Sequence, residues 1–159
     1  MEKIKKNQTD TLNMLIEINN DRIEGYKAAI GLLPSTANIT IRTAFEEYRD
    51  QSIQFNTELI PLVFQDGEYP EEGTRASGKL FRIWMDIKAM ISPSTTKSIL
   101  ASCERGEEEH EKVYFKALDG AESLNATVLL ILESQSLIQT KAHNHIKQLN
   151  RDFIEEPLS

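Results

Sequence analysis

Glu107 and His110 stand three residues apart in the run CERGEEEHEKVY, residues 103–114. On a helix this spacing places both on one side. It is also the spacing by which carboxylate-bridged di-iron bundles set a terminal imidazole beside a bridging carboxylate. The chemistry in question is therefore binding of iron or manganese and, with iron, its oxidation. A full site of that kind takes a Glu from each of two helices and a Glu-x-x-His from each of the other two. This chain carries one such motif. Around it, the first helical segment offers Glu24, and the second offers Glu46, Glu47 and Asp50 beside Tyr48. The last offers Glu133, Gln139 and His143 without a second motif.

Whether Glu107 and His110 point inward depends on the elements that carry them. Leu12, Ile16, Asn19, Ile23, Tyr26, Ile30 and Leu33 follow alternating steps of four and three, which predicts helix A over about 10–33. Thr9 or Asp10 is its expected cap and Pro34-Ser35 its stop. The same alternation in Ile41, Phe45, Tyr48, Ser52, Phe55, Leu59 and Leu62 predicts helix B, with a bend or fraying at Pro61 and a stop at Gln65-Asp66-Gly67. Residues 66–78 read as a loop leading into a short amphipathic helix. In it Leu80, Phe81, Trp84, Ile87, Met90 and Ile91 share a face that seals one end or side of the bundle.

After a restart at Ser92-Pro93-Ser94, helix C has Ile99, Cys103, Glu107, His110, Tyr114 and Ala117 on its seam and closes at Asp119-Gly120. Helix D, about 122–152, turns inward Val128, Ile131 or Leu132, Gln135, Ile138, Ala142, His145 or Ile146, Leu149 and Phe153. The pattern predicts an all-α chain of one domain over 1–159 with its core at about 10–152. Its architecture is an antiparallel four-helix bundle of the one-crossover, ferritin-like type, with a short extra helix in the B–C crossover.

Glu107 and His110 thus fall on a seam, whereas Glu108, Glu109 and Glu111 fall off it. Asn19, Ser52 and Gln135 are the polar seam residues of the other three long helices. An unsatisfied buried polar group costs about 1–3 kcal/mol, so one shared hydrogen-bonded layer is expected. A structural Glu107–His110 pair is the favoured reading over a metal site. Gly25 and Gly106 inside helices leave room for a ligand or allow two helices to approach closely, the second being favoured. Cys103 reads as a small apolar seam residue, and Tyr26, Tyr48 and Tyr114 as core aromatics with satisfied hydroxyls.

The composition narrows the function classes. A net charge of -7 and a pI near 5.0 argue against nucleic-acid binding. One cysteine excludes an internal disulfide framework. The longest apolar run, Val128 to Leu132, is far short of the roughly 20 residues that cross a bilayer. With a start that lacks a signal-type apolar stretch, this predicts a cytoplasmic protein without membrane association. No Gly-rich phosphate loop, nucleophile elbow or zinc-type Cys/His spacing is present, so catalysis has little support.

Four stretches, NNDRIEGYKAAI (19–30), FNTELI (55–60), EEGTRASGKLFRIWMDIKAM (71–90) and CERGEEEHEKVYFKAL (103–118), together resemble the bacterial ferritin-like four-helix-bundle family of unknown function. The resemblance is collinear over about residues 10–152. It implies a ferritin-like bundle in the bacterial cytosol and supplies no established activity. Wider ferritin-like relatives bind iron or manganese, and their ligand pattern carries over to Glu107 and His110, with Glu24 and Glu47 as the further positions.

Three functions follow as expectations. The leading one is a non-enzymatic bundle acting through a homo-oligomer or an unidentified protein partner, in stress adaptation as related bundles suggest. In that case exposed apolar residues of the crossover helix are the expected contact surface. The alternative is iron binding or oxidation at a degenerate site of Glu107, His110, Glu24 and Glu47. A third is a small-ligand pocket lined by Asn19, Ser52 and Gln135.

Overall fold

The computed structural model describes residues 2–70, 79–90 and 95–153. Among these residues five α-helices follow in order: α1 (Glu2–Leu32), α2 (Ile39–Gln65), α3 (Lys79–Lys88), α4 (Thr96–Asp119) and α5 (Ala126–Asp152), with a 3-10 turn at Ala121–Ser123. The Ser92-Pro93-Ser94 restart, Ile91, the side chain of Leu80 and residues 71–78 of the crossover lie outside the described residues.

The helices begin where side chains can cap them. Asn38, Thr95 and Asn125 each accept a backbone N–H of the first turn of α2, α4 and α5. The start of α1 departs from expectation, because the helix runs back to Glu2 and absorbs both candidate caps. Thr9 instead donates its hydroxyl to Asp66 Oδ2 (3.0 Å), just past the end of α2. Gln8 donates to the same carboxylate and accepts from the backbone of Asn125, tying three helices together at one end. Pro61 neither frays nor ends α2, which continues to Gln65 before Gly67 turns the chain at φ 81°.

Long-range hydrogen bonds give the helix directions. Asn19 lies level with Tyr114 and Arg22 with Glu107, so α4 runs antiparallel to α1. Asn56 reaches Asn20 whereas Gln8 reaches Asp66, so α2 is also antiparallel to α1. Gln135 meets Phe55 and His145 meets Tyr48, setting α5 against α2 in the same sense. The order is up, down, down, up, and the α2–α4 connection returns along the bundle with α3 laid on α1 and α4. This is the one-crossover, ferritin-like arrangement.

Every predicted seam residue of α2 and α4 is buried. On α5 the register differs near the middle: Leu132, Gln135, Gln139, Ala142 and Ile146 face inward, and Ile138 is an exposed residue. Among the described residues no helix is long and apolar enough to cross a membrane.

Candidate functional site

The centre of the bundle is built around an arginine. Arg22 lies between seam residues Asn19 and Tyr26 on α1 and has no exposed surface. Its Nε donates to Glu107 Oε1 (2.7 Å) and its Nη2 to Glu107 Oε2 (3.0 Å), a two-pronged ion pair from α1 to α4. Nη1 donates to Ser52 Oγ (3.0 Å) and Nη2 also to Gln51 Oε1 (2.9 Å), both on α2.

Glu107 is saturated by these and two further donors. The Tyr26 hydroxyl donates to Oε1 (2.8 Å), and Gln139 Nε2 from α5 donates to Oε2 (3.0 Å) and to the Glu107 carbonyl (3.0 Å). A carboxylate offers about four lone-pair directions. Protein donors take two on each oxygen, and they come from α1 and α5.

Asn19 is the second hub. Its Nδ2 donates to the Leu15 carbonyl (2.9 Å), which can only accept, and this fixes the amide orientation. Oδ1 therefore accepts from Ser52 Oγ (2.8 Å) and from His110 Nε2 (2.9 Å). It follows that His110 carries its proton on Nε2, and Nδ1 has no partner among the described residues. Asn19 Nδ2 also donates to the Tyr114 hydroxyl (2.9 Å), which donates to Gln135 Oε1 (2.7 Å), and Gln135 donates to Glu58 (2.9 Å) and to the Phe55 carbonyl. The expected layer of Asn19, Ser52, Glu107, His110 and Gln135 is thus one network drawn from all four long helices.

Burial sets the proton affinities here. It pulls the Arg22 pKa down, but Glu107 more than offsets this and the guanidinium stands above its ordinary value. Burial, and then the nearby Arg22 charge, holds His110 well below the usual imidazole value, so it is neutral. Burial, with Glu107 as the second cause, pushes the Tyr26 hydroxyl and the Cys103 thiol well up. A radical or thiolate role gains nothing from these surroundings.

A packed indole closes the site on one side. Trp84 of α3 lies against Gly25 of α1 and Gly106 of α4, with its ring centroid 5.2 Å from that of Tyr26. A Cβ at Gly25 would stand 2.1 Å from the indole, and one at Gly106 would stand 2.5 Å away. The two glycines therefore make room neither for a ligand nor for a close α1–α4 approach. They form the slot for Trp84.

The candidate metal residues divide. Glu107 and His110 belong to the buried network, linked through Asn19, Ser52 and Arg22. Glu24 is a surface residue whose carboxylate pairs with Lys27 (3.4 Å), and Glu47 is exposed on α2. Among the described residues no three His, Cys, Asp or Glu side chains gather as a metal group. The donor set does not fit iron or manganese, because the lone pairs of Glu107 are filled and its partner is already a fixed cation. His143, the other histidine weighed for metal, pairs with Glu111 (2.8 Å) at the α4–α5 edge.

Sequence reasoning missed Arg22, and it weighed Gln139 only beside a metal site and not as a seam residue. Arg22 is three residues from Asn19 and four from Tyr26, so it borders the same stripe, but both the strict alternation and hydropathy select Ile23. One signal was available: a buried seam Glu requires a cation, and Arg22 and Lys27 are the two Arg or Lys residues that helix A, about 10–33, offers.

The class is that of a ferritin-like four-helix bundle, and solved structures agree. A point mutant of Mycobacterium smegmatis Dps1 aligns with a TM-score of 0.77 at 14% identity, covering 94% of this chain and 99% of that one. A ferritin-like, diiron-carboxylate protein from Bacillus anthracis str. Ames aligns at 0.75 and 16%, with 94% and 99% covered. The tetragonal form of Mycobacterium smegmatis Dps aligns at 0.77 and 12%, with 93% and 88% covered. No curated protein matches the chain. Residues 7–120 match the model of the domain of unknown function DUF2383, and the chain belongs to that family.

Proposed function

We propose that this protein is a non-enzymatic ferritin-like bundle that acts through its surface, by self-association or by binding a protein partner, and holds no metal at its centre. One observation carries this: the Arg22 guanidinium pairs with Glu107, the carboxylate a metal would require, and all the acceptor directions of Glu107 are filled. The positive charge of the centre is built into the chain. Stress adaptation is the process expected from related bundles, and a cytoplasmic site of action goes with it.

A second reading is iron binding, which the likeness to a protein described as diiron-carboxylate brings forward. Glu107 and His110 would be its ligands, with Glu24 and Glu47 drawn in from the surface, and Arg22 would have to leave. Anaerobic Fe(II) titration of chelator-stripped protein, with metal content read after desalting, separates the two. The expected result is no stoichiometric iron on the wild type. Stoichiometric iron that is lost in Glu107→Ala/His110→Ala would overturn the proposal in favour of the second reading.

A further inference from the structure

The apolar face of α3 is used within the bundle, where Trp84 and Ile87 are buried, so it is not the free contact surface. Three exposed aliphatic residues lie close together on α5 instead, where Leu130 is 66%, Leu137 61% and Ile138 42% exposed. Leu130, Ser134, Leu137, Lys141 and Asn144 repeat the steps of four and three, forming a second stripe on the outer side of a helix whose inner stripe is already packed. Single exposed leucines are ordinary. Two of them two turns apart on one outer stripe, with a charge of opposite sign one turn to either side of the second, are a pattern.

Glu133 precedes Leu137 by four residues, Lys141 follows it by four, and both are exposed. We propose that this face of α5 pairs with the same face of a second copy, antiparallel, about a two-fold axis at Leu137. A two-fold contact is self-complementary, so each residue meets its mirror across the axis. Leu137 then packs on Leu137 of the second copy, and Glu133 faces Lys141 twice. The charges select this arrangement. A parallel pairing sets Glu133 on Glu133 and Lys141 on Lys141, and an antiparallel axis midway between Leu130 and Leu137 brings the two Glu133 side chains together. Copies of net charge -7 repel at long range, and a locally neutral face with an apolar centre is where they meet at least electrostatic cost.

This inference rests on the surface-acting reading and specifies its self-association branch. Sedimentation of the wild type across micromolar concentrations is expected to show a monomer–dimer equilibrium. Glu133→Lys or Lys141→Glu alone should weaken it by about tenfold or more, and the two together should restore it. Leu137→Cys should form a disulfide-linked dimer under mild oxidation, because the native Cys103 is buried and stays out of the reaction. Leu130→Cys should not crosslink, because it faces Asn144 of the second copy. A wild type that is monomeric throughout overturns the pairing and leaves the protein-partner branch standing. A dimer in which the charge reversals are silent and Leu137→Cys fails to crosslink overturns the α5 face but not self-association. Iron retained at Glu107 would sink the surface-acting reading without affecting the crosslink.

Discussion

At the scale of single residues, the Arg22–Glu107 pair is the feature on which the centre depends. Removing one partner of a buried ion pair leaves the other charge uncompensated, which costs about 3–5 kcal/mol, whereas replacing both by apolar groups costs far less. Arg22→Met and Glu107→Leu are each expected to lower stability by about that much, and the double variant to lose well under the sum. Some loss persists in the double variant because the Tyr26 hydroxyl would lose its acceptor, while Gln139 and Ser52 would each lose one bond and keep another, to the residue-107 carbonyl and to Asn19. Urea unfolding of the four corners of the cycle measures the coupling; strictly additive losses would mean the pair is not a unit. The inward direction of Glu107 and His110 was legible from their spacing among apolar residues. That Glu107 faces an arginine was not, since the pairing joins residues 85 apart through tertiary packing.

At the scale of elements, α3 is held to the bundle by the fit of Trp84 into the slot of Gly25 and Gly106. Trp84→Ala should destabilise by about 3–5 kcal/mol through the cavity it leaves. Gly106→Ala should also destabilise, by about 1–3 kcal/mol, because its Cβ would overlap the indole and outweigh a helix-propensity gain of about 1 kcal/mol. In the Trp84→Ala background the same Gly106→Ala change should reverse sign, since the clash is gone and the propensity remains. Thermal unfolding of the three variants gives the answer, and a Gly106→Ala that destabilises in both backgrounds would refute the slot. The long helices were legible because their apolar positions repeat faithfully, as Ile41 to Leu62 and Ile99 to Ala117 do. The slot was not, because a glycine records only the absence of a side chain and not what fills the space. The α5 register slipped at Ile138 for a related reason: Gln139 is buried by its bonds to Glu107, which hydropathy does not see.

At the scale of the whole molecule, a fully buried polar network makes stability depend on pH through its one group that titrates near neutrality. His110 is held neutral well below its ordinary value of 6.5, by burial first and by Arg22 second. Below pH 6.5 the unfolded chain gains a proton at this position that the folded chain refuses. The unfolded state therefore binds more protons there, and stability falls as pH falls, at up to about 1.4 kcal/mol per pH unit, until the folded value is reached. Above pH 6.5 both states are neutral and the contribution is flat. Comparing urea midpoints of the wild type and His110→Asn between pH 7.5 and 5 isolates this slope, because every other ionisable group is common to the two proteins. The wild type should lose stability more steeply on acidification than the variant, and parallel curves would show that His110 takes up its proton without opening the fold. The network has no slack for that proton: Asn19 Oδ1 already accepts the one imidazole hydrogen, and the second would emerge at Nδ1, beside no acceptor among the described residues and within reach of the Arg22 charge. Burial of His110, with the Arg22 charge as the second cause, is therefore what ties the folded state to neutral pH.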